Sequence, residues 1–230
     1  MAGATVEGGL TPFADEVSAA QTLTYAGRTV EARETMDRVL PRTMQAANPS
    51  LLSWAHYVVG ETVADLDVER ALAAYAAAIE YAGEADCRLF EMLARGSSIA
   101  LAARSGAPSA TLDQFEQFLD QQETVGNELV ELWVLRFLVV LLDRLDASYD
   151  AVVLAGALLA VQDRYPSFGP YASPVESAVE RLRKRLGPQA TQEALHRGSR
   201  LTYADTGAHA RQAIRTARRV LVERPTTSTV

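Results

Sequence analysis

Along this chain a short turn followed by a small or apolar residue recurs at a nearly constant interval. Ala32 in TVEA, Ala71 in VERA, Leu112 in SATL and Ala151 in SYDA are spaced by 39, 41 and 39 residues. That interval exceeds the roughly 34 residues of a standard tetratricopeptide unit and falls with the longer tetratricopeptide-like and HEAT-like units. Gly27, Asp65, Gly106 and Asp146 divide each unit into two helices. Alanine at a helix crossing lets two backbones approach closely, so each pair stacks on the next. The fold class read from this pattern is all-α, an α-α superhelix: a tetratricopeptide-like solenoid of about four helical hairpins plus C-terminal helices.

Local signals place the helices. Thr11 with Pro12, and Asn48 with Pro49, are N-caps followed by proline at the first helical position. The first helix runs to the AGR at 26–28, and the second begins near Thr29 and frays around Pro41. The third ends near Ala64-Asp65, the fourth carries Gly83 at its end, and Gly106 and Gly126 close the fifth and sixth. SYDAVVLAGALLAVQDR is the eighth. Ser173, Pro174 and Glu176, then Thr202 and Asp205, form capping boxes, while Gly187-Pro188 stops a helix. The predicted organisation is a flexible 1–9, repeats over 10–164, a Pro-rich connector at 165–173, C-terminal helices over 174–222 packing on the repeats, and a disordered tail at 223–230.

The seventh helix, LWVLRFLVVLLDRL, is the most apolar stretch. Its run from Leu132 to Leu142 is eleven residues long and already contains Arg136; a membrane span needs roughly 20 apolar residues. It reads as a helix buried by neighbours on both sides, with Glu128, Arg136 and Asp143 sharing an arc of about 80°. A buried guanidinium needs a carboxylate or backbone carbonyls. Arg136 is therefore read as a clamp to Asp143 or to an acid on a neighbouring helix, with a ligand or partner anchor as the alternative.

Charge is distributed unevenly. Residues 181–230 hold 11 Lys and Arg against 3 Asp and Glu, whereas the first 180 hold 11 against 26. Two readings follow: the basic end docks on its own acidic body, or it is a nucleic-acid arm. In the second, Arg211, Arg215, Arg218 and Arg219 share one side of a helix and would track phosphates, although aromatics and a reading motif are missing. A single cysteine, Cys87, excludes an internal disulfide and suits a cytoplasmic protein. MAGATVEGGL does not read as a secretory signal.

The stretch LWVLRFLVVLLDRLDASYDAVVLAGAL, followed by LRKRLGPQATQEALHRGSRLT, is similar to the C-terminal tetratricopeptide-like helical region of bacterial LuxR- and AfsR-type ATPase regulators and related cyclase-linked proteins. The residues that carry the resemblance are Gly156-Ala157, Leu182, Leu186-Gly187, Gly198 and Leu201-Thr202. It spans about residues 125–215, with 10–124 matching only as generic repeats. It implies a sensor region attached to, or derived from, a nucleotide-binding regulator. Departures are the ADTGAHA opening of the last helix, where Gly207 weakens helix formation by roughly 1 kcal/mol relative to Ala, and the lack of a phosphate-binding loop in this chain.

Catalytic signatures are not legible. His56, His196 and His209 have no second histidine at i+4, Asp205 and His209 read as a weak surface pair, and no serine sits in a G-x-S-x-G turn. No metal site and no cofactor is expected. The predicted function is a non-enzymatic protein-interaction or sensor module of a bacterial regulator. It would bind a protein partner, an attached regulatory or ATPase domain, or a small effector, with a homodimer compatible and no membrane association. The first helices would present Trp54, Tyr57, Arg88, Arg95, Trp133 and Arg136 to a groove, since aromatics and arginines dominate binding hot spots. The alternatives are a small-molecule receptor with its pocket between the repeats and the C-terminal helices, and nucleic-acid binding through the basic end.

Overall fold

In the computed structural model, residues 13–165 and 174–223 are described. They form eleven helices and no strand: α1 (Ala14–Tyr25), α2 (Thr29–Ala46), α3 (Pro49–Val63), α4 (Val68–Glu84), α5 (Arg88–Ser105), α6 (Pro108–Val125), α7 (Glu128–Arg144), α8 (Ser148–Ala160), α9 (Pro174–Leu186), α10 (Pro188–Gly198) and α11 (Tyr203–Glu223). The all-α reading therefore holds for the described residues. None of these helices is long and apolar enough to cross a membrane. The Thr11-Pro12 cap, Ser173, nearly all of the Pro-rich connector and the two termini lie outside the described residues.

Boundaries follow capping chemistry. Asn48 accepts from the Leu51 N–H at 3.2 Å, and Asp67 and Asn127 cap α4 and α7 in the same way. Thr202 and Asp205 satisfy each other reciprocally, side chain to backbone in both directions, at 3.3 and 3.1 Å. Gly126 ends α6 at φ 70°, a left-handed conformation open to glycine. Two boundaries differ from expectation: α8 stops at Ala160 and does not run to Arg164, and α2 does not fray at Pro41 but continues to Ala46. Pro41 is exposed, so water can take the carbonyl its missing N–H leaves free, and the Thr43 hydroxyl bonds the Leu40 carbonyl at 2.8 Å.

The chain divides into two compact units, one reaching to Ser98 and the other beginning at Ile99, a division inside α5 that the periodicity did not indicate. In the first unit α1 packs on α2 and α3, α2 on α3, and α3 on α4. The α3–α4 contact is close because α4 offers a small-residue stripe of Ala71, Ala74, Ala78 and Ala82, all buried. Gly60 leaves room for the Tyr75 ring, and Ser53 donates to the Ala78 carbonyl at 2.8 Å.

In the second unit α7 packs against α6, α8, α9 and α11. Thirteen of its residues are buried, from Val130 through Asp143. Arg144, at its C-terminus, donates to the Ala103 carbonyl at 2.7 Å and the Gly106 carbonyl at 3.0 Å. Helix α8 is equally enclosed and meets α10 backbone to backbone. A Cβ on Gly156 would overlap the Leu195 carbonyl, and one on Gly198 would overlap the Val153 carbonyl. Helix α11 then returns along the chain to pack on α6, α7 and α8.

Because backbone cannot move aside as a side-chain tip can, Gly156→Ala and Gly198→Ala are each expected to lower the unfolding free energy by about 3 kcal/mol. Gly83→Ala, in a helix with no atom within 4 Å of the added carbon, is expected to be neutral or stabilising by up to about 1 kcal/mol. Urea denaturation midpoints with unchanged slopes distinguish the two outcomes.

Candidate functional site

The sequence-selected residues fall on both units. Trp54, Tyr57, Arg88 and Arg95 belong to the first, and Trp133 and Arg136 to the second. Trp54 is half-buried; its ring stacks on Phe90 with centroids 5.8 Å apart and its indole N–H donates to Gln21 at 2.8 Å. Gln21 continues to the Tyr25 hydroxyl at 3.1 Å, which meets the Tyr57 hydroxyl at 3.0 Å. Tyr57 is buried, and burial pushes its phenol well above the ordinary range. Arg88 is exposed, whereas Arg95 is held by Glu91 at 3.0 Å. Trp133 is buried with Phe137 edge-on to it. Of the six, Trp54, Arg88 and Arg95 retain reachable surface.

Arg136 does not clamp Asp143. It donates to the Tyr165 carbonyl at 2.8 Å, and burial lowers its affinity for its proton while the field of Glu176 on α9 opposes that. Asp143, 6% exposed, is taken instead by Arg181 at 2.8 Å and by Arg185, both on α9. The basic end is thus drawn onto acidic helices. On α11, Arg211 pairs with Asp120 at 2.6 Å and Glu123 at 2.8 Å, and Arg218 with Asp113 at 2.7 Å and Glu116 at 2.9 Å. Among the described residues, Arg215 bonds Gln212 and Arg219 bonds Thr216, both on their own helix. The Asp205–His209 pair does not form: Asp205 caps α11, and His209 reaches the Asp150 carbonyl at 3.1 Å. Among the described residues no group of three or more His, Cys, Asp or Glu could hold a metal ion.

The site that sequence reasoning missed is a cleft of about 400 Å³ between α6, α7 and α11. Leu119, Ala204 and Ala208 give it apolar wall, and Gln122, Glu123, Glu131, Tyr203 and Arg211 also line it. Gln122 is 3% exposed, and its side-chain oxygen is shielded from solvent without a hydrogen-bond partner. An orphaned buried acceptor costs about 1–3 kcal/mol, so such a group is rarely left in a core without a use. Glu131 is 7% exposed. Its Oε2 accepts from the Tyr203 hydroxyl. Its Oε1 faces the space that Gly207 leaves, 3.4 Å from where a Cβ would lie.

The electrostatics of the cleft are set by burial. Desolvation pushes the Glu131 carboxyl up, the Tyr203 bond and the charge of Arg211 oppose that, and Glu128 and Glu123 add to it. Tyr203 is raised in turn, first by burial and then by the carboxylate it bonds. No family model matches the chain, and no curated protein or solved structure matches it significantly.

A carboxyl held above its unfolded value of about 4.5 binds its proton more tightly in the folded state. Stability then falls as pH rises from the unfolded value through the raised one. Glu131→Gln keeps an acceptor for Tyr203 and removes that slope. It is expected to be more stable than the parent at neutral pH, with the difference vanishing below about pH 4.5. Thermal unfolding of both proteins between pH 4 and 8 measures this; a parallel pair of curves would contradict it.

Proposed function

We propose that this chain is a non-enzymatic, tetratricopeptide-like sensor module that binds a small effector in the cleft between α6, α7 and α11. The observation that carries this reading is the cleft itself, in which Gln122, Glu131, Tyr203 and Arg211 stand beside the apolar Leu119, Ala204 and Ala208. A concave site with apolar wall and a few convergent polar groups is the usual form of a small-molecule pocket. The position agrees with the receptor alternative drawn from the sequence, a pocket between repeats and C-terminal helices. The relation to LuxR- and AfsR-type regulators rests on the residue pattern of 125–215 alone.

Mechanistically, α11 is the element an effector would act on. It contributes Tyr203, Ala204, Gly207, Ala208 and Arg211 to the cleft, and it is tied to α6 by ion pairs through Arg211 and Arg218. A ligand held between α7 and α11 favours the arrangement in which α11 is docked, and so biases whatever is joined to it. In the solenoid reading the serial contacts α1–α2–α3–α4 are the stacked part, and α11 is the departure from serial stacking.

A second reading is supported by the first unit. The stacked, half-buried Trp54 and Phe90 together with exposed Arg88 form a face suited to a partner polypeptide.

Gly207→Leu fills the cleft from its own wall and separates these readings. A thermal-shift screen of small polar metabolites is expected to yield compounds that stabilise the parent, by about 2.7 kcal/mol at 100-fold excess over Kd, and leave Gly207→Leu unshifted. Compounds acting equally on both proteins, or none acting on the parent, would remove the cleft reading.

A further inference from the structure

We infer that α11 is a salt-sensitive clasp, closed on α6 by Arg211 and Arg218 and able to lift as one unit while α7 and α8 stay folded. The charge pattern on the two helices points to it. Asp113, Glu116, Asp120 and Glu123 stand at i, i+3, i+7 and i+10 of α6, so they form one acidic row, and α6 has no Lys or Arg of its own. Like charges at such spacings repel. Their counter-charges come from α11: Arg211 takes Asp120 and Glu123, and Arg218 takes Asp113 and Glu116. Arg211 and Arg218 are seven residues apart, and so are the two acid pairs they meet. Seven residues make about two turns of helix, so antiparallel helices close both contacts at once.

Little apolar burial backs these contacts. The buried residues of α11 are Thr206, Ala210, Ala213, Ile214 and Ala217, so among the described residues Ile214 is the only large apolar side chain it buries. Alanines remove little area from water, and the stabilisation scales with area. Helix α7 instead buries Trp133, Phe137 and a series of leucines. The α6 carboxylates that hold α11 are 38–72% exposed, so salt screens their attraction. Helix α9 is the opposite case. Its Arg181 and Arg185 close on Asp143, a carboxylate 6% exposed, where screening acts much less. Docked α11 also keeps Glu131 from water: Tyr203 bonds one carboxylate oxygen and Gly207 stands beside the other. Lifting α11 hydrates that carboxylate and so lowers the cost of opening. An open clasp removes the wall that Tyr203, Ala204, Gly207 and Ala208 give the cleft. It also uncovers Arg211 and Arg218 beside the already exposed Arg215 and Arg219. The clasp is a property of the protein alone and stands whether or not the cleft binds an effector.

Hydrogen–deuterium exchange of the full chain, followed by mass spectrometry at neutral pH in about 20 mM and about 500 mM NaCl, tests this. At the lower salt, α11 peptides are expected to exchange at least about tenfold faster than α7 peptides. The higher salt is expected to speed α11 at least about threefold further and to leave α7 and α8 unchanged. Arg211→Gln combined with Arg218→Gln is expected to give the fast α11 rate in both salts. Arg215→Gln combined with Arg219→Gln removes the same charge from the same helix, but those arginines bond within α11; this variant is expected to keep the parent's salt response. Three results would each overturn the clasp: α11 protected as strongly as α7, α11 exchange independent of salt, or equal effects of the two arginine pairs. The first two are read on the parent protein, so misfolding of a variant leaves them decisive.

Discussion

The second unit depends on the desolvation of polar side chains on an otherwise apolar helix. Helix α7 buries Glu131, Arg136 and Asp143 among leucines, valines and aromatics. A charge taken out of water without a partner costs several kcal/mol, so each of the three requires an answer. All three answers come from the chain beyond α8: Tyr203 for Glu131, the Tyr165 carbonyl for Arg136, Arg181 and Arg185 for Asp143. Tyr165 acts twice, since its hydroxyl also reaches Glu128, two turns from Arg136. The C-terminal helices are thereby part of the core's electrostatic closure, and the hydrophobic burial of α7 could not be completed without them.

The same requirement builds the cleft. Drawing α11 onto α6 and α7 through Tyr203, Arg211 and Arg218 would normally bring side chains into full contact. Gly207, Ala204 and Ala208 prevent that, because small residues stand where α11 faces Glu131 and Leu119. Beside the cleft, Glu131 is bonded through Oε2 to Tyr203, and the buried Gln122 oxygen has no hydrogen-bond partner. Gly207, which weakens the opening of its helix, stands where a Cβ would lie 3.4 Å from Glu131 Oε1.

Legibility was uneven for identifiable reasons. Asn48, Asp67, Asn127 and the Thr202–Asp205 box cap through bonds within a few residues, so their effect is readable locally. Gly156 and Gly198 stood out through the resemblance, but that they lie at one α8–α10 crossing appears only when the helices are packed. The need of Arg136 for a partner is legible, but which partner is not: Asp143 at i,i+7 looks close on a helical wheel, whereas the groups that act on Arg136 are the Tyr165 carbonyl, 29 residues away, and the charge of Glu176 on α9. Glu131 carries no sequence signal of its burial. An acidic residue in the first turn of a helix is ordinarily a dipole-complementing surface group, and nothing local marks this one as covered by α11. Gln122 sits among glutamines and acids of α6 with no local signal of any kind.

What the sequence alone determined is therefore the set of interactions that close within a few residues: helical periodicity, the caps, the breaks at Gly126 and Gly187, and the impossibility of leaving α7 exposed. It also determined that a basic end and an acidic body coexist in one chain. Tertiary structure alone decided which acid each arginine meets, where the two compact units divide, and which face of α11 is left slightly unfilled. Those outcomes depend on distances between residues far apart in the chain. Such distances are set by helix crossings to within a methyl group, and composition and spacing carry no information at that scale.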